Sequence, residues 1–179
     1  MIIYIFIIVG IIILIGLYLF LTYKNKISFL QIKIDVAEQS IDSLFDKNLN
    51  LLKESCKKLD ELTEEDLFEE AQTLERKDYS IFEFNKKLSS LQRDFEEEIT
   101  YRKNFIPDEE TNQLFQDLRI THLECEASQD FYNDIVSSYN NLLNTFPASV
   151  IGKVLKCSKK ELYSFEEEEV FEILKESNN

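Results

Sequence analysis

The sequence predicts an all-α chain in which an N-terminal transmembrane helix leads into a bundle of four helices, the first and fourth of them long. Three observations carry this prediction. After Met1, the stretch to Tyr23 has no charged side chain, and only Gly10, Gly16 and Thr22 interrupt its run of Ile, Leu, Val, Phe and Tyr. The 179-residue chain has three Gly and two Pro, too few for the turns that a sheet protein needs. Beyond the apolar run, apolar residues recur at three- and four-residue spacing in one stretch after another, the period of helices packed on helices.

The opening stretch reads as a retained anchor over residues 1–23. About 20 apolar residues rising about 1.5 Å each cross a hydrocarbon core of about 30 Å. A cleaved leader would need a basic start, a shorter apolar core and a small-x-small cleavage site, and none of these is present. Tyr4, Tyr18 and Tyr23 stand where amphipathic rings meet the headgroups. Lys24, Lys26 and Lys33 follow the span and no charged side chain precedes it, so the positive-inside rule places the N-terminus outside the cell membrane and the body in the cytoplasm.

The first cytoplasmic helix is expected to continue the span without a break, because neither Gly nor Pro separates them. Ile27, Leu30, Ile34, Ala37, Ile41, Leu44, Asn48 and Leu51 form its seam. The seam then drifts to Leu49, Leu52, Cys56 and Leu59, as a straight helix requires. Thr63, Glu64, Glu65 and Asp66 read as the start of a second helix running to about Arg76 or Lys77, with a capping oxygen followed by acids. A start at Asp78 or Ser80 opens a third, marked by Ile81, Phe84, Leu88, Leu91, Phe95, Ile99 and Arg102 and ending before Pro107. Pro107 and the acids Asp108 to Glu110 open the fourth. Its stripe is Leu114, Leu118, Thr121, Cys125, Ser128, Tyr132, Ile135, Tyr139, Leu142 and Phe146, and it stops at Pro147. Residues 24–147 thus form the bundle. Residues 148–179 form a membrane-proximal basic and apolar segment followed by an acidic helical tail at Glu166 to Glu169, with Val170, Phe171 and Leu174.

Two segments resemble the LemA family. Ile34-Asp35, Ala37 and Ile41-Asp42 are similar to the family's first soluble helix. Phe131-Tyr132-Asn133-Asp134, Tyr139-Asn140, Phe146-Pro147, Val150-Ile151 and Lys159-Lys160-Glu161-Leu162-Tyr163 with Phe165 follow its order and spacing near the C-terminus. The chain departs from the family pattern at Glu38, where Trp is usual, and so resembles a divergent member. The resemblance implies an antiparallel, up-and-down four-helix bundle behind one transmembrane helix. Registering the first and fourth helices on Ile27 and Phe146 would set Asn48 opposite Cys125 and His122.

Charge narrows the function classes. The net charge of -14 argues against nucleic acid, whose phosphates require a basic face. Acid concentrates in the middle of the chain, with sixteen acids against seven bases between residues 61 and 110. Glu61, Glu64, Glu65, Asp66, Glu69 and Glu70 crowd into ten residues, either a solvated tip or a docking patch for a basic partner. Conversely, Lys153, Lys156, Lys159 and Lys160 lie in a stretch without acids, and with Lys24 and Lys26 they form a candidate membrane-surface contact. Val150, Ile151, Val154 and Leu155 would be its apolar face, or would close the bundle as a strap.

Catalytic candidates are few. Cys56, Cys125 and Cys157 contain no C-x-x-C pair, and a single His excludes the paired Glu-x-x-His motifs of di-iron bundles. His122 and Cys125 lie one turn apart and give the alternative, a metal-binding or enzymatic bundle. With no phosphate loop and no nucleophile elbow, neither metal nor cofactor is expected. The chain reads as a membrane-anchored, non-enzymatic scaffold or interaction module whose partners are the lipid bilayer and an unidentified protein. Oligomeric state stays open, as does the rival of an envelope-associated structural protein facing outward.

Overall fold

The computed structural model describes residues 2–102 and 107–163, and the expected acidic tail lies outside them. Every regular element described is helical: α1 (Ile2–Thr63), α2 (Glu69–Thr73), a 3-10 turn (Arg76–Asp78), α3 (Ile81–Tyr101), α4 (Glu109–Asn144) and α5 (Ala148–Val154). α1 is unbroken from the apolar run onward, and its first part is long and apolar enough to cross a membrane, with a mean hydropathy of 3.1 and nothing buried against it. The described residues divide into two compact units, 2–39 with 130–162, and 40–102 with 107–129 and Tyr163.

In the first unit, Ile27, Ile34 and Ala37 of α1 are buried, as are Tyr132, Ile135, Val136, Tyr139 and Leu142 of α4 and Ala148 and Ile151 of α5. Two hydrogen bonds fix the register. Gln31 Nε2 donates to the Tyr139 hydroxyl at 3.3 Å, and the Tyr132 hydroxyl lies 3.4 Å from Glu38 Oε1. As the position on α1 rises by seven residues, its partner on α4 falls by seven, so these two stretches run in opposite directions. The offset differs by three residues from the one expected, and Phe146 is 82 % exposed instead of facing Ile27. Gly152 lets α5 approach α4 closely: a Cβ there would stand 2.6 Å from Leu143 Cδ2.

In the second unit, Phe45, Phe84 and Tyr163 cluster, with ring centroids 5.8 Å apart for Phe45–Phe84 and 6.3 Å for Phe45–Tyr163. A second group joins Phe95 to Phe68 at 5.7 Å and to Phe115 at 5.2 Å. The expected drift of the α1 seam is present at Leu49, Leu52, Cys56 and Leu59, all buried, with Phe45 added to it. Ser80 caps α3 in a capping box with Glu83, two reciprocal bonds that satisfy amides the helix itself leaves unpaired. Asp108 Oδ1 accepts from the Thr111 amide at 2.8 Å at the entrance to α4.

The second helix differs from expectation. Thr63 ends α1 instead of opening a new helix: its hydroxyl donates back to the Leu59 carbonyl at 2.9 Å, and Glu64 turns into the left-handed region at φ 56°. Asp60 Oδ1 then accepts from the Leu67 amide at 3.0 Å, and the chain stays irregular until α2, which has only five residues. Buried Phe68, Ala71 and Leu74 hold this segment in place, so it packs without needing helical length.

Two stability changes follow. Phe84→Ala is expected to cost about 3–5 kcal/mol in urea unfolding, since a fully buried ring leaves a cavity. Glu64→Gly is expected to raise stability by ~0.5–1 kcal/mol, because Gly adopts the left-handed turn without the Cβ penalty.

Candidate membrane-surface site

The basic segment folds as a short helix and an irregular return segment. α5 begins right after Pro147 and ends where Lys156 takes a left-handed φ of 56°, with the Cys157 amide donating to the Gly152 carbonyl at 2.9 Å. Seven residues give only two turns, so its side chains divide sharply. Ala148 and Ile151 point into the unit, whereas Val150 and Val154 are exposed beside Lys153 and Lys156. The two readings of this segment therefore describe its two sides. Ile151, expected on the outer apolar face, is on the inner one, and exposed Phe146 joins Val150 and Val154 at four-residue spacing.

Register places this surface at the foot of the unit. Gln31 pairs with Tyr139, so one heptad further along the same offset Phe146 comes level with Lys24, the first residue beyond the apolar run. Lys24, Lys26, Lys153, Lys156 and Lys159 are all exposed. Lys160 behaves differently from its expected role. Its Nζ lies 3.0 Å from Glu38 Oε1, and its backbone is bracketed by the Asn140 side chain, which accepts from Lys160 N at 3.0 Å and donates to Lys160 O at 2.9 Å. That pairing sets Lys160 level with Glu38, about 22 Å along α1 from Tyr23.

The acidic run is exposed throughout, but part of its charge is neutralised locally. Glu65 pairs with Arg102, Glu70 with Lys87 at 2.6 Å, and Glu61 with Lys57 at 4.0 Å. Glu64, Asp66 and Glu69 complete the patch. His122 Nε2 lies 3.5 Å from Glu126 Oε1 on its own helix. Among the described residues, no three His, Cys, Asp or Glu side chains gather in a way that could hold a metal ion. Burial pushes the thiols of Cys56 and Cys125 up to about 12, with Asp60 adding to the first and Glu124 to the second, so neither supplies a thiolate near neutrality.

The LemA family matches residues 63–174, well over half of the sequence. The chain belongs to the LemA family. Comparison with curated proteins and with solved structures gives no match. The family match takes in residues 63–113, beyond the two segments that carry the resemblance, and leaves Ile34 to Asp42 outside it. In this LemA protein, the residues that carry the likeness make inter-helix bonds. Tyr139 accepts from Gln31, and Tyr132 lies 3.2 Å from the Glu161 carbonyl as well as near Glu38. Burial, reinforced by the Glu38 carboxylate, pushes the Tyr132 hydroxyl up to about 12, which keeps it a donor. Glu38, the departure from the family pattern, thus holds both Tyr132 and Lys160.

Some residues were not singled out in advance. Asn85 and Gln129 form a reciprocal buried amide pair at 3.2 and 2.9 Å, and Arg76 clamps Asp42 and Asp46. Amide pairing of this kind has no spacing signature within one strand of sequence.

The thiols give a pH test. The unfolded chain ionises Cys near pH 9 while the folded chain keeps Cys56 and Cys125 protonated to about 12, so wild-type stability falls as pH rises through this window. In matched urea titrations, the double variant Cys56→Ala, Cys125→Ala is expected to lose that part of the slope.

Proposed function

We propose that this chain is a single-pass, membrane-anchored helical bundle acting as a non-enzymatic scaffold at the cytoplasmic face, its helices antiparallel and up-and-down, and that it touches the membrane twice. The first contact is the apolar part of α1. The second is the tip formed by Phe146 and α5. The observation that carries this reading is the exposure of Phe146, Val150 and Val154 among Lys153, Lys156, Lys24 and Lys26, at the level where α1 leaves the apolar run. Apolar side chains enter the headgroup boundary, and each nearby lysine adds about 1 kcal/mol on anionic lipid. The exposed acids Glu64, Asp66 and Glu69 then offer a surface to a basic protein partner. The opposed pairing of α1 with α4, and the pairs Asn85–Gln129 and Phe95–Phe115 between α3 and α4, support the antiparallel arrangement.

An environment-sensitive fluorophore on Val154→Cys, in full-length chain with Cys157→Ser, tests the second contact. In vesicles containing anionic lipid its emission is expected to shift to the blue relative to neutral vesicles. An unshifted, water-like spectrum in both would sink the lipid contact.

Orientation is tested separately through Cys157, which is partly exposed. A membrane-impermeant maleimide is expected to spare it in intact cells and label it after permeabilisation. Labelling in intact cells would favour a body on the outer face. Metal analysis of the purified protein tests the enzymatic alternative based on His122 and Cys125.

A further inference from the structure

The face of α1 opposite α4 carries a second seam. Phe29, Ile32 and Val36 are 56, 61 and 61 % exposed, although they begin only six residues beyond Tyr23. They lie about half a turn around the helix from buried Ile27, Ile34 and Ala37, so nothing in their own unit covers them. Their three- and four-residue steps extend back without a slip through Asn25, Thr22, Tyr18, Ile15, Ile11, Ile8 and Tyr4. Inside the apolar run any face would be greasy, and the spacing of its Ile residues alone distinguishes nothing. The hydrogen-bonding side chains do distinguish this face. Of the uncharged polar-capable residues between Ile2 and Asn25, Tyr4, Tyr18, Thr22 and Asn25 fall on this one stripe and only Tyr23 falls off it. Thr22 and Asn25, at the far end of the span, are of the types that hydrogen-bond across paired helices, and Tyr4 and Tyr18 set headgroup-level rings on the same face.

Lipid does not reach the upper part of the stripe. Ile32 and Val36 stand about 13 and 20 Å along the axis from Tyr23, beyond a headgroup layer only about 5–8 Å deep. The occupant must therefore be a helix that leaves the bilayer in parallel with α1 and carries the same repeat. A second copy of this chain meets both conditions, because a shared anchor orients all copies alike. The flanks agree. Lys33 lies on one side of the stripe and Asp35 on the other, and a parallel two-fold pair sets each Lys33 flank against the partner's Asp35 flank. We infer that the chain forms a parallel homodimer through the α1 stripe from Tyr4 to Val36, with Phe29, Ile32 and Val36 as its water-exposed end.

The test uses full-length chain with Cys157→Ser, reconstituted in neutral-lipid vesicles so that the tip on α5 plays no part. Phe29→Cys, Ile32→Cys and Val36→Cys are each expected to give a disulfide-linked dimer under mild oxidation, whereas the equally exposed Val154→Cys does not. Absence of dimers at the three stripe positions, or equal crosslinking at Val154→Cys, overturns the proposal. As a second measurement, Ile32→Glu with Val36→Glu is expected to weaken dimerisation about tenfold or more in vesicle dilution, equivalent to ~1.4 kcal/mol. A dimer fraction unchanged by the two carboxylates overturns it equally. A stripe covered by the chain's own C-terminal residues would likewise give no intermolecular product.

Discussion

The continuity of α1 constrains everything else in this structure. A helix has no internal freedom to redirect its faces, so each residue's surroundings follow from its angle and its height above Tyr23. The face carrying Ile27, Ile34 and Ala37 must receive α4, and the register set by Gln31–Tyr139 and Glu38–Tyr132 then determines where the far end of α4 arrives. It arrives at the foot of the apolar run. Phe146, Val150 and Val154 are exposed there, because α5 is only long enough to bury Ala148, Ile151 and Gly152 on its inner side. An exposed apolar cluster beside lysines is costly in water and favourable at a lipid boundary, so its height decides whether it makes sense.

The same geometry explains why Lys160 parts company with the other lysines. The irregular segment after α5 climbs away from the foot, and Asn140 holds Lys160 in it by both backbone groups. Glu38 lies at that height with one side chain available for two donors, the Tyr132 hydroxyl and the Lys160 ammonium. A Trp there would offer a single N–H donor and no acceptor, so the acid and its two donors form an interdependent set. The ion pair is only partly exposed on both sides, and its contribution is modest without the buried hydroxyl behind it.

Much of this was legible in the residues, and the exceptions have physical causes. The unbroken apolar start of α1, the start of α3 at Ser80 and the extent of α4 follow from strong local rules: uninterrupted apolarity, a capping box, and Pro with acids ahead of a long repeat. The signal at Thr63 to Asp66 misled because a hydroxyl followed by acids suits either end of a helix. Its role depended on whether the hydroxyl reached forward to an amide or back to the Leu59 carbonyl, and it reaches back. The α4 stripe gave Phe146 the right spacing but not its partner, because periodicity locates a face and not the length of the helix opposite it. A three-residue error in offset was enough to move Phe146 from the core to the surface.

The candidate site was legible in composition but not in direction. The lysines of 153–160 stood out because no acid lies among them, yet which apolar residues accompanied them depended on how a two-turn helix would be rotated. Spacing allows Val150, Ile151, Val154 and Leu155 on one broad face. The close approach at Gly152 breaks that tie, because the side of α5 without a Cβ is the side that can rest against Leu143, and this turns neighbouring Ile151 inward and Val150 and Val154 outward. The single glycine beyond the apolar run therefore decides which residues of α5 are exposed. Filling it should disturb the surface of the segment as much as its packing.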